Sequence, residues 1–205
     1  MNREITAKNQ SKAAFDRQAG TYDSTYYGQH ARKLYGNIIG KLNEYAYENI
    51  LDVGCGTGSI LKEIISTKKV NAAGVDLSEK MLAVAREHLG TAVDLRNGDS
   101  EHLPWEGEQF HMVLCSDSFH HYPNPEAVLR EMKRVLRPGG KIILADPWLP
   151  SPIRQIMNVF MPFNKDGDVR MYSGKEIKKM LAACGLKFIS WERAGRSAFI
   201  SVSEK

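Results

Sequence analysis

From about residue 48 the chain alternates between two hydrophobic periods. Short apolar runs bounded by polar residues are followed by segments whose apolar positions recur every three and four residues. ENILDV (48–53) predicts a strand, and residues 59–66 predict a helix with Ile60, Leu61, Ile64 and Ile65 on one face. VNAAGVD (70–76) is the next strand; Ser78 then caps a helix that buries Met81, Leu82, Ala85 and Leu89. TAVDLRN (91–97) and FHMVLCS (110–116) predict two more strands. Asn124-Pro125 supplies an N-cap and a first-turn proline. The helix after it buries Val128, Leu129, Met132, Val135 and Leu136 and stops at Pro138-Gly139-Gly140. KIILAD (141–146) is a buried strand. Residues 173–176, Ser-Gly-Lys-Glu, are a capping box, followed by Ile177, Met180, Leu181 and Cys184 at helical spacing and closed by Gly185. LKFISWER and SAFISVS, on either side of Gly195, predict a final hairpin, and residues 1–45 predict helices.

Repeated strand–helix alternation means an α/β fold with a mostly parallel sheet covered on both faces. The closing hairpin adds an antiparallel strand. In such doubly wound sheets ligands bind beyond the carboxyl ends of the strands. Chemistry is therefore expected at 54–59, 76–78, 99–104, 116–122 and 146–172.

Composition changes this picture little. The 205 residues suit one full-sized domain, and the 42% hydrophobic and 25% charged fractions are ordinary for a globular chain. No run approaches the roughly 20 apolar residues of a membrane helix. MNREITAKNQSKAAF lacks the apolar centre of a secretory signal, so a cytoplasmic protein is expected. Cys55, Cys115 and Cys184 are odd in number and far apart, which suits reduced thiols. The net charge of +4 lies largely in Arg130, Lys133, Arg134 and Arg137, the wet face of one helix. A nucleic-acid partner is not expected from it.

Gly54-Cys55-Gly56-Thr57-Gly58 sits at a strand-to-helix turn. Glycine there lets backbone approach a ligand and reach positive φ, although a merely tight turn uses glycine too. The spacing is not the G-x-G-x-x-G of dinucleotide folds, and no G-x-x-x-x-G-K-[ST] is present. Asp52, just before the loop, would repel a pyrophosphate but suits an ammonium group. Asp76 ends the second strand, where a carboxylate can accept from both ribose hydroxyls. Asp99 follows the third strand, where it can accept from an adenine amine. One such acid alone is usually a turn cap, but three follow three successive strands. The ligand they describe has an amino-acid charge, a ribose and an adenine. S-adenosylmethionine carries all three.

LDVGCGTG (51–58), GVDLSEKML (74–82), NGDSEHLPW (97–105), FHMVLCSDSFHHYPNP (110–125) and RVLRPGGKIILAD (134–146) together resemble the motifs of class I S-adenosylmethionine-dependent methyltransferases. The likeness is strongest to the small-molecule branch that includes ubiquinone- and menaquinone-biosynthesis-type enzymes, and FDRQAGTYD (15–23) resembles its N-terminal lid. The resemblance implies a Rossmann-like, doubly wound sheet of seven strands with the last antiparallel. It implies one domain over 1–205: a helical lid at 1–45, a cofactor-binding core at 46–146, and an acceptor-side segment with the hairpin at 147–205. Carried over, Gly54 and Asp52 would meet the methionyl amino group, and Gly56 and Gly58, flanking Cys55, would let the loop pass under the cofactor. Asp76 would hold the ribose, Leu77 and Met81 would face the adenine, and Asp99 with Ser100 would meet its amine. Ser116 would help hold the methionyl end, and Tyr22 of the lid would reach the carboxylate. The product is S-adenosylhomocysteine.

A sulfonium methyl is already activated, so alignment and water exclusion do most of the work. A base helps where the acceptor is a hydroxyl. His120 and His121 lie where one is wanted, with Asp117 a weaker candidate; the same residues also suit packing or capping. No metal-ligand spacing is evident. The segment 147–172 holds Trp148, Ile153, Ile156, Met157, Phe160, Met161 and Phe163, most of which read as core, with the remainder roofing an acceptor pocket. Trp148, Arg170 and Tyr172 are the acceptor candidates, and Arg170 and Tyr172 serve equally as loop anchors. The expected function is methyl transfer to a small hydrophobic or aromatic molecule. The alternatives are a cofactor-binding regulatory module without catalysis, an RNA or protein methyltransferase, and, less favoured, a nucleotide-dependent oxidoreductase. The stretch Ser116-Asp117-Ser118-Phe119 lacks the N/D-P-P-Y/F signature of base or glutamine amino methylation.

Overall fold

The computed structural model describes residues 3–205. Two helices come first, α1 (Arg3–Gln18) and α2 (Tyr26–Asn43). The core then runs β1 (Asn49–Val53), α3 (Ser59–Thr67), β2 (Asn71–Asp76), α4 (Glu79–Leu89), β3 (Val93–Asn97), β4 (Phe110–Ser116), α5 (Pro125–Val135) and β5 (Leu136–Pro147). It closes with α6 (Ile153–Phe160), α7 (Gly174–Ala183), β6 (Lys187–Ala194) and β7 (Ala198–Glu204). The seven strands form one sheet in the order β3-β2-β1-β4-β5-β7-β6. β1 to β5 pair in parallel, and β7 is antiparallel to both β5 and β6, as the sequence pattern predicts. The strand order reverses between β1 and β4, which places the ligand crevice beyond their carboxyl ends.

Both faces of the sheet are buried. On one face Leu51, Val53 and Val113 pack with Val128, Leu129 and Met132 of α5 and Ile177 and Leu181 of α7. On the other Ile50, Met112 and Ile143 pack with Leu34, Ile38 and Leu42 of α2, Ile60 and Ile64 of α3 and Leu82 of α4. Each such buried Leu or Ile contributes about 1.5–3 kcal/mol by leaving water. All three cysteines are buried and free. Among the described residues no helix is long and apolar enough to cross a membrane.

Two details depart from the sequence pattern. Leu136 begins β5 and pairs with Phe110 instead of ending the preceding helix, so the strand runs through Pro138-Gly139-Gly140. Pro138 biases Arg137 away from helix, and Leu136 is already extended (φ −72°, ψ 141°). In the 147–172 segment, Ile153, Ile156, Phe160 and Phe163 are exposed, where the pattern reads core; α6 lies on the surface and none of its residues is buried.

Candidate active site

The β1–α3 turn is built around three positive-φ glycines, with φ +79° at Gly54, +51° at Gly56 and +74° at Gly58. Gly54 N and Cys55 N both donate to Val75 O, at 2.9 and 3.0 Å, which ties the turn to β2. A Cβ on Gly54 would lie 2.1 Å from Ser118 Oγ and 2.9 Å from the Tyr122 hydroxyl. Gly54 is thus required by the close approach of the loop after β4. Gly58 answers a different need: a Cβ there would lie 2.6 Å from Leu89 Cδ1 and 3.2 Å from Ala85 Cβ. It lets α4 pack, and it borders neither cofactor-side cavity described next.

Two adjoining cavities open at the carboxyl ends of β1, β2 and β4. One is bordered by Asp76, Leu77, Asp99 and Ser100, with Lys8 and Phe15 reaching in from α1. The other is bordered by Asp52, Gly54, Cys55, Gly56, Met81 and Ser116, with Tyr22 and Tyr35. Gly54, Asp76 and Ser118 border both. Of the cofactor residues read from the sequence, all but Gly58 line these two spaces.

The acids differ in state. Asp52 is 1% exposed, its Oδ1 has no partner, and its carboxyl is pushed up to about 8 by burial and by the charge of Asp76. Asp76 accepts from Gly56 N and Ser78 N, both at 2.8 Å, yet burial still raises it. Asp99 Oδ2 pairs with Lys8 Nζ at 2.7 Å, and the same ammonium reaches Glu101 at 2.8 Å. Ser116 Oγ is buried without a partner. A buried carboxyl oxygen and a hydroxyl, both unpaired and on residues that border one cavity, suit a donor such as an ammonium group.

The N-terminal segment is tied to the core by groups that the sequence pattern did not single out. Asp23 Oδ1 accepts from Thr57 Oγ1 at 2.9 Å and Ser59 Oγ at 3.0 Å. Asp16 accepts from Ser78 Oγ at 2.5 Å. Phe15 borders both cofactor-side cavities and a third, larger one, and meets the rings of Tyr22 and His121 edge-on at 6.0 and 5.1 Å.

That third cavity, about 230 Å³, lies between α1, α6 and the loop after β4. Ala14, Met157, Met161 and Met171 give it apolar walls; Asp117, His120, His121 and Asp168 form its polar end. Asp117 holds φ +51°, rare for a residue with a side chain and costly in backbone energy. Burial raises its carboxyl. His120 Nδ1 hydrogen-bonds Asp146 Oδ1 at 3.0 Å, and Asp146 is fully buried. Burial opposes charge on His120, but Asp146 outweighs it, helped by Asp117 and Asp168, and the imidazole rises to about 9. Burial and the charge of His120 hold His121 well below the ordinary histidine range. The two ring centroids lie 4.1 Å apart.

The three acceptor candidates lie elsewhere. Trp148 packs edge-on against Trp191 at 5.8 Å, under Arg193. Tyr172 is buried against Phe119, ring centres 5.5 Å apart. Arg170 pairs with Glu176 of the α7 capping box at 2.5 Å, which is the anchoring role. None of the three borders this third cavity.

Residues 51–144 match the family model described as a methyltransferase domain. Over 113 residues the chain is 39% identical to the ubiquinone biosynthesis O-methyltransferase of Pseudomonas aeruginosa (strain UCBPP-PA14), covering 53% of this chain and 48% of that protein. The chain thus spans about half the length of this curated relative. The fold is shared with the Burkholderia thailandensis 1,6-didemethyltoxoflavin-N1-methyltransferase, solved with its substrate and S-adenosylhomocysteine (TM-score 0.78, 16% identity, 100% of this chain, 91% of that one). It is shared too with the YcgJ protein of Bacillus subtilis (TM-score 0.72, 20% identity, 86% of this chain, 98% of that one). The sheet, the crevice and the matched motifs are similar to those of methyltransferase domains. The unpaired Asp52 Oδ1 and Ser116 Oγ fit the ammonium end of S-adenosylmethionine.

Proposed function

We propose that the chain, read as one domain, methylates an oxygen atom of a small hydrophobic or aromatic molecule. The observation that carries this reading is the junction of cavities: the acceptor space meets the cofactor spaces at Phe15, Tyr22, Asp117 and His121. Bound S-adenosylmethionine supplies the activated methyl group. Asp52, Ser116 and the Gly54 backbone hold its methionyl end, Asp76 its ribose, and Asp99 and Ser100 its adenine. The apolar walls orient the acceptor, the latched lid excludes water, and both hold the reactants for in-line transfer. The acceptor hydroxyl faces the polar end of the cavity, where His121, beside His120, draws off its proton. The O-methyltransferase relative supports oxygen as the acceptor atom. A cytoplasmic location fits the free, buried thiols.

The test is incubation with S-adenosylmethionine and a panel of catechols, phenols and aromatic amines, read by mass spectrometry. O-methylated product is expected. Replacing His121 by Ala should slow transfer by about 10²–10⁴-fold while changing cofactor affinity far less. Cofactor binding without turnover of any member would leave a binding module, and methylation confined to the amines would refute the choice of oxygen.

A further inference from the structure

We propose that His120, His121 and Asp168 form a binding site for a divalent first-row transition-metal ion at the polar end of the acceptor cavity. Asp168 Oδ1 lies 3.6 Å from His120 Nε2 and 3.1 Å from His121 Nδ1, and one ligand atom from each residue lies within 4.8 Å of the others. Metal–ligand bonds of about 2.0–2.2 Å set ligand atoms about 3.0–3.4 Å apart at angles near tetrahedral or octahedral. Two edges of the triangle are therefore close to their bound lengths already.

Three further observations point the same way. His121 Nδ1 is buried and makes no hydrogen bond, although its side chain is only 10% exposed. Asp168 Oδ1 lies 3.1 Å from it without a hydrogen bond between them. His120 donates Nδ1–H to Asp146, whose Oδ1 is also held by Phe119 N, so that Nε2 is left for the cavity side. A carboxylate behind a histidine is the usual support of a metal-binding imidazole. The loop carrying Asp168 is also fixed. Val169 N and Arg170 N donate to His120 O at 2.9 and 3.1 Å, and the Asn164 amide donates to Asp168 Oδ2. Oδ1 is thereby left facing the rings.

Two imidazoles and one carboxylate suit zinc, iron, cobalt or nickel better than magnesium or calcium, which prefer oxygen. All three residues border the cavity, so an ion there would meet an acceptor with two adjacent oxygens, such as a catechol, and acidify its hydroxyl. This acceptor role rests on the methyl-transfer reading; the ion site itself does not.

The test is titration of chelator-dialysed protein with Co(II), followed by its visible absorption and by Zn(II) competition. One Co(II) per chain is expected, with imidazole scattering in the X-ray absorption spectrum. 4-Nitrocatechol added to the cobalt protein should show the colour shift of chelation. His121→Ala and Asp168→Asn should each weaken cobalt binding at least about tenfold, and Asp146→Asn by about 10–100-fold. Asp168→Asn should keep wild-type affinity for S-adenosylhomocysteine, which shows it folded. No cobalt uptake, or uptake unchanged in both ligand variants, overturns the proposal. Failure of S-adenosylhomocysteine to bind the wild type would instead strike the methyl-transfer reading and leave the ion site standing.

Discussion

Asp52 is buried and unpaired, and burial with the charge of Asp76 pushes its carboxyl up to about 8, which has a measurable result. An acid raised to about 8 favours the folded state while protonated; that contribution is lost as pH climbs from the ordinary carboxylate range through 8. The melting temperature of the cofactor-free protein should therefore fall over this window, and fall less in Asp52→Asn. A cofactor ammonium would demand the carboxylate, so binding at pH 7 should release about one proton. Calorimetry in buffers of different ionisation enthalpy reads that proton directly. Asp52→Asn should abolish the release; a buffer-independent heat in the wild type would contradict the assignment. Asp76→Ala should weaken the cofactor by about 1–3 kcal/mol through lost hydrogen bonds, and unchanged affinity in a folded variant would remove the ribose role. Gly58→Ala should destabilise by about 1–3 kcal/mol in denaturant unfolding, because the left-handed backbone and Leu89 both resist a methyl group.

At the scale of elements, the N-terminal segment proposed as a lid is joined to the glycine loop through Asp23, which bridges Thr57 and Ser59. Asp23→Ala should speed release of S-adenosylhomocysteine by about tenfold, since a charge-assisted pair of hydrogen bonds is lost. Stopped-flow displacement measures it, and an unchanged off-rate would mean that the latch does not govern release. Elements also show what the sequence could reveal. The strands and helices of the core were legible because each buries a face at its own period, and the strand-end acids because they are local to those strands. Asp23, Phe15 and Asp168 were not, because they reach the site only through tertiary folding. Asp146 ends a strand as Asp76 does, and that position was the available signal for it. The exposed α6 misled because an amphipathic helix reads as core whether or not anything covers it.

For the molecule as a whole, the sheet order places a crevice at the β1–β4 reversal, and the cavity proposed for the acceptor lies beside it, under α1 and α6. Three candidate acceptor residues fell outside that cavity because Trp148 and Tyr172 are needed to complete the core at the β5–β7 end, and Arg170 to hold α7. S-adenosylhomocysteine at about 100 times its dissociation constant should stabilise the fold by about 2.7 kcal/mol, raising the melting temperature by about 5–10 °C. The most direct measurement is calorimetric titration of the purified protein with S-adenosylmethionine, S-adenosylhomocysteine and NAD in parallel. Binding of the first two, with no heat from NAD, is the expected result. Binding of NAD alone, or of none of the three, would contradict the assignment of the glycine loop and its acids to this cofactor.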